Sequence, residues 1–156
     1  MKNLSYGPKT AKEWYKQVRE GYIDFLEDDT DFYKANCVCT FLWHMTDWTF
    51  KEQKNSREGY KSLGGFRGML YGLCDELRVL HDIANSCKHG ELKIDRIKVK
   101  DAQEARETGD FSSDFSSDFD NHRLVVQMEN GDKHNLLDIL EKVVIFWDEY
   151  FKKHIN

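Results

Sequence analysis

The 156-residue chain predicts a mainly α protein of the α+β type, a bundle of about four helices with a small antiparallel β insertion at about 92–135. Three observations predict it. Apolar residues recur at three- and four-residue spacing through about 10–28, 31–53, 66–89 and 136–154, as helices buried on one side require. After Gly90 the apolar period falls from near 3.6 to near two. Asn130-Gly131 then gives a strong signal for a two-residue hairpin turn. The length suits one domain over 1–156, with a helical core at about 8–90 and 136–154 and the insertion at about 91–135.

In the first helix Trp14, Val18, Tyr22, Phe25 and Leu26 form the buried stripe, and Pro8 suits its first turn. EDDTD breaks the pattern, and Thr30 or Asp31 can cap the next helix. That second helix, DFYKANCVCTFLWHMTDWTFKEQ, is apolar on most sides and reads as the centre of the bundle. REGYKSLGG is a short helix or loop, and a third helix runs from about Phe66 to His89 with Gly90 past its end. In ELKIDRIKVK, Leu92, Ile94, Ile97 and Val99 follow a strand-like order with an irregularity near Arg96. The repeat DFSSDFSSDFD at 110–120 reads as a long loop pinned by Phe111, Phe115 and Phe119, or as a lid or partner-binding segment; it lacks the spacing of an EF-hand. Asn135 caps a last helix with Leu136, Leu140, Val143, Trp147 and Tyr150 as its stripe.

The formal net charge of −5 argues against non-specific DNA binding and against adhesion to anionic membranes. No apolar run approaches the ~20 residues of a membrane-spanning helix. MKNLSYGPKTAKEW has no apolar signal-peptide core, so a cytoplasmic protein is expected. Cys37 and Cys39 stand about 200° apart on a helix, so their thiols diverge and do not share a metal. Gly64-Gly65-x-x-Gly68 lacks the lysine of a phosphate-binding loop, and no cofactor is implied.

The third helix carries the candidate site. Projected at 100° per residue, Leu70, Leu73, Leu77, Leu80, Ala84 and Cys87 share one face, and Asp75, Arg78, Asp82, Asn85 and His89 share the opposite one. His81 and Lys88 flank this polar row. Part of it is ordinary helix chemistry, with i,i+3 and i,i+4 ion pairs and basic residues in a last turn. Yet Asp and Asn are poor interior choices for a merely solvated face. Asn85, one turn before His89, can orient an imidazole. Arg78, Lys88 and a protonated His89 would make an anion-friendly patch suited to phosphate. His44, on the second helix, reads as a core histidine that could meet Asn85 or His89 if the two helices face each other.

The stretch Ala84-Asn85-Ser86-Cys87-Lys88-His89 resembles the late-helix motif of the HEPN superfamily, helical bundles that include many metal-independent RNases. Asn85 and His89 match that motif, whereas alanine stands at 84 where the pattern has an arginine. The resemblance implies catalytic roles for His89 and Asn85 at an RNA phosphate, with Arg78, Asp82, Lys88, His81 and His44 as ligand-binding candidates. Arg78 lies roughly 16 Å from His89 along one helix, so it would act from the second chain of a homodimer. The succession DIANSCKHGEL, FSSDFSSDF, HRLVVQMENGD and VVIFWDEYF also resembles a group of small bacterial and phage proteins, from about residue 75 to 151. Three functions are expected on these grounds: a module binding nucleotide or RNA in a phage or bacterial conflict setting, an endoribonuclease using His89, or a protein-interaction domain.

Overall fold

The computed structural model describes residues 7–53, 60–89, 99–107 and 121–155. Five helices and a three-stranded antiparallel sheet follow one another: α1 (Ala11–Leu26), α2 (Phe32–Gln53), α3 (Leu63–Leu73), α4 (Glu76–His89), β1 (Val99–Glu107), β2 (Asn121–Met128), β3 (Lys133–Asn135) and α5 (Leu136–His154). No described helix is long and apolar enough to cross a membrane.

Local chemistry sets the helix ends. Thr10 Oγ1 accepts from the Glu13 amide, and the Glu13 carboxylate accepts from the Lys9 amide, a capping-box arrangement carried by Thr10-x-x-Glu13. Pro8 therefore stands before the cap rather than in the first turn. Asp31 Oδ1 accepts from the Lys34 amide at the start of α2, and Asn135 Oδ1 accepts from the Leu137 amide at the start of α5. The first amide of α1, on Ala11, donates to Glu52 near the end of α2, which fixes the two helices antiparallel.

The core forms around α2, which packs against α1, α3, α4 and α5. Val18, Tyr22 and Phe25 are buried as expected, joined by Ala11 and Tyr15, while Leu26 is exposed. The whole expected stripe of α5 is buried. Tyr15 seals the α1–α5 contact by donating to the Val144 carbonyl and to Asp148.

The expected third helix is two helices. Cys74, with φ −148° and ψ 98°, is extended and buried, and the Asp75 carbonyl accepts from the Arg78 amide to begin α4. Four glycines among the eleven residues of α3 weaken its helical preference, and Asp75 is a natural capping residue, so the chain breaks where both effects meet. Leu70, Leu77, Leu80 and Ala84 are buried on both sides of the break as expected, while Leu73 and Cys87, expected beside them, are exposed. Asp82, expected on the polar face, is buried together with Val79 and Ile83, because α4 is covered over more than one face.

In the β insertion, β1 runs through VKDAQEARE and includes Val99 and Lys100, the end of the strand expected at 91–100; residues 91–98 lie outside the described residues. Its charged sequence gains order by pairing along β2, and charge suits an edge strand. An irregularity lies between Val99 and Asp101; the one expected near Arg96, and the phenylalanine repeat, lie outside the described residues. The β2–β3 turn has three residues, not two. The Met128 amide donates to the Asp132 carbonyl and the Gly131 amide to the Met128 carbonyl. Gly131 has φ 92° and Asn130 stays negative, the geometry of a type I turn closed by a glycine bulge.

Candidate aromatic–arginine–histidine site

Trp43, on the middle of α2, organises the site. It is buried, and residues of α3 and α4 close on it. Tyr71 of α3 stacks on it with ring centres 5.9 Å apart and planes 9° from parallel. The His81 ring of α4 meets it edge-on at 4.7 Å. Arg67 of α3 lies over its indole at 4.4 Å, and Arg78 of α4 lies over the Tyr71 ring at 4.6 Å. Such cation–π contacts leave the N–H edge of a guanidinium available for other partners.

Hydrogen bonds fix each polar group. Arg67 donates from Nε to Thr46 Oγ1 and from Nη2 to Asp47 Oδ2, both at 3.0 Å. Arg78 Nε pairs with Asp75 Oδ1 at 3.1 Å. His81 Nδ1 donates to Asp82 Oδ1 at 3.1 Å, and Asn85 Nδ2 donates to His81 Nε2 at 2.7 Å. A carboxylate only accepts, so the proton of this contact sits on Nδ1. Asp82 is 4% exposed, while the His81 side chain is 38% exposed. A buried carboxylate thus orients an imidazole whose two nitrogens are both engaged.

The electrostatics reach Tyr71. Burial pushes its phenol up to about 12; the Arg67 and Arg78 charges oppose that rise and Asp82 adds to it. Two guanidinium groups face three carboxylates here, Asp47, Asp75 and Asp82, so the carboxylates outnumber the guanidinium charges by one.

No family model matches the chain, and no curated protein or solved structure matches it significantly.

The structure brings His81, Asp82, Asn85 and Arg78 to this one face of the bundle. Asn85 turns back one turn to His81. His89 is the last residue of α4, and its side chain lies outside the described residues. Lys88 is exposed beside it. His44 is exposed rather than a core histidine, because its neighbours Trp43 and Met45 take the inward positions of α2. The sequence pattern alone does not single out Trp43, Tyr71 and Arg67. Trp43 and Tyr71 look like core aromatics in one dimension. Arg67 carries a usable signal, since it is the lone charge within LGGFRGMLYGL.

Proposed function

We propose that this chain is a HEPN-like helical module that binds a phosphate-bearing ligand, a nucleotide or RNA, on the α2–α3–α4 face without cleaving it. The observation that carries the reading is the set of directed donors around Trp43. Arg67 uses only two of its five guanidinium N–H groups in its bonds to Thr46 and Asp47. Arg78 is half exposed and spends Nε on Asp75. Both arginines rest over aromatic rings and are tied by carboxylates, so part of the entropy cost of binding has already been met. The engagement of both His81 nitrogens favours binding over proton transfer, because Nε2 has no free lone pair to take a substrate proton. By the same resemblance, a homodimer and a phage or bacterial conflict setting belong to this proposal.

Calorimetric titration with mono- and dinucleotides and a short single-stranded RNA tests it. Binding that weakens about tenfold or more in Arg67→Met supports the reading; this loss corresponds to about 1.4 kcal/mol, within the range of a charged hydrogen bond. Silence from every ligand would remove it.

The Asp82–His81 pair favours one alternative, a metal-independent endoribonuclease. If Asn85 swings away, Nε2 can accept the proton of an attacking 2′-hydroxyl. RNA cleavage by the wild-type chain that is lost in His81→Ala would support this alternative over simple binding. Loss in His89→Ala alone would move the chemistry to the end of α4.

A further inference from the structure

We infer that the exposed face of the Arg78 guanidinium is a stacking platform for a nucleobase, an inference that rests on the phosphate-ligand reading above. Arg67, Trp43, Tyr71 and Arg78 are linked by face contacts in sequence: Arg67 over Trp43 at 4.4 Å, Trp43 stacked on Tyr71 at 5.9 Å, and Arg78 over Tyr71 at 4.6 Å. The two arginines are the ends of this series. Arg67 is the more enclosed, with its side chain 25% exposed, whereas the Arg78 side chain is 47% exposed.

Arg78 is also held at its edge. Asp75 takes its Nε at 3.1 Å, and the Tyr71 ring covers one face of the guanidinium. The opposite face of a guanidinium fixed in this way is planar, polarisable and weakly hydrated. Nucleobases stack on such planes as well as on aromatic side chains. The charge around Trp43, two guanidinium groups against three carboxylates, makes the same point from the other side. A phosphate alone would gain little from the local field, so a tight ligand needs a second source of affinity, and a base supplies it while its phosphate reaches the remaining N–H donors of Arg67 or Arg78. Base stacking on a protein surface is worth about 5- to 150-fold in affinity.

The test compares AMP, ribose 5-phosphate and adenosine by calorimetry on the full chain and on Arg78→Lys and Arg78→Ala. Lysine keeps the charge and removes the plane. The expected result is AMP binding at least about fivefold tighter than ribose 5-phosphate in the wild type, the low end of base stacking. In Arg78→Lys the ratio of AMP to ribose 5-phosphate affinity falls to about one, because the plane is lost while the charge stays; in Arg78→Ala both phosphates weaken further. Equal binding of AMP and ribose 5-phosphate to the wild type overturns the platform and leaves the phosphate reading standing. So does an AMP preference that survives Arg78→Lys. Adenosine binding without ribose 5-phosphate binding removes the phosphate reading and keeps the stacking. Binding of none of the three overturns both. Equal melting temperatures of the three proteins guard against a folding artefact.

Discussion

Two aromatic clusters lie on different sides of α2, and they differ in what surrounds them. On the α1–α5 side, Tyr15 stacks on Phe151, Trp147 packs against Tyr150 and Phe151, and among the described residues no arginine lies over a ring of this cluster. The hydroxyls of that cluster turn inward, Tyr15 to Val144 and Asp148, Tyr150 to Gln53. On the α3–α4 side, Trp43 and Tyr71 carry two guanidinium groups and an imidazole, and those groups remain partly open to solvent. The first arrangement spends its hydroxyls on internal bonds and buries its rings, Trp147 Nε1 included, and so holds the fold together. The second keeps donors at the surface, at the cost of three nearby carboxylates needed to fix them. Aromatic content alone does not separate core from site; the partners of the rings do.

Substitutions can break this contrast. The largest effect is expected from Trp147→Ala, which empties a fully buried position and should cost about 3–5 kcal/mol by chemical denaturation. Ligand affinity of the protein that remains folded should not change. Tyr15→Phe removes the one hydroxyl donor shared between the Val144 carbonyl and Asp148 and should cost about 1–2 kcal/mol, again without touching binding. Arg67→Met on the other side should behave oppositely. Its ion pair with Asp47 is partly exposed, so stability should fall by no more than about 1 kcal/mol, while nucleotide affinity falls about tenfold or more.

Alkaline titration compares both clusters in one experiment. Burial raises the phenols of Tyr15 and Tyr71, the latter to about 12. A folded-state value above the unfolded one gives stability that is complete below the unfolded value and lost as pH rises past it. Stability should therefore hold up to about pH 10, the unfolded tyrosine value, and then decline across pH 10–12. Tyr71→Phe should flatten part of that decline. The smallest effect concerns the thiols. Burial raises Cys74 to about 12 and Cys39 further, whereas Cys87 is exposed. In the native state a disulfide reagent should label Cys87 before Cys39 and Cys74; rapid labelling of Cys39 would contradict the packing of α2.

The helices were legible where one physical signal dominated. The stripe of α5 repeats Leu136, Leu140, Val143, Trp147 and Tyr150 without a competing break, and its cap is the asparagine that chemistry prefers. The break at Cys74 was hidden because buried apolar residues continue on both sides of it, Leu70 before and Leu77 after. Asp82 was read as solvent-facing because a projection of one helix does not record how widely its neighbours cover it; it is the buried partner of His81. The strand β1 was not legible, because its order comes from pairing with a distant segment rather than from its own charged residues. Half of the site could be read from the polar row of one helix: His81, Asp82, Asn85 and Arg78. The other half, Trp43, Tyr71 and Arg67, is brought there by the packing of α2 and α3, which no local pattern records.

The chain has four tryptophans, and they report on different places: Trp147 in the α5 core, Trp14 stacked on Trp48 between α1 and α2, and Trp43 at the proposed site. The indole N–H resonances, assigned by single Trp→Phe substitutions, test the central claim most directly during titration with AMP or a short RNA. Binding at the α2–α3–α4 face predicts a saturable shift of the Trp43 signal with the other three unmoved. A ligand that binds while Trp43 stays still, or that moves the Trp14 and Trp48 signals instead, would contradict it.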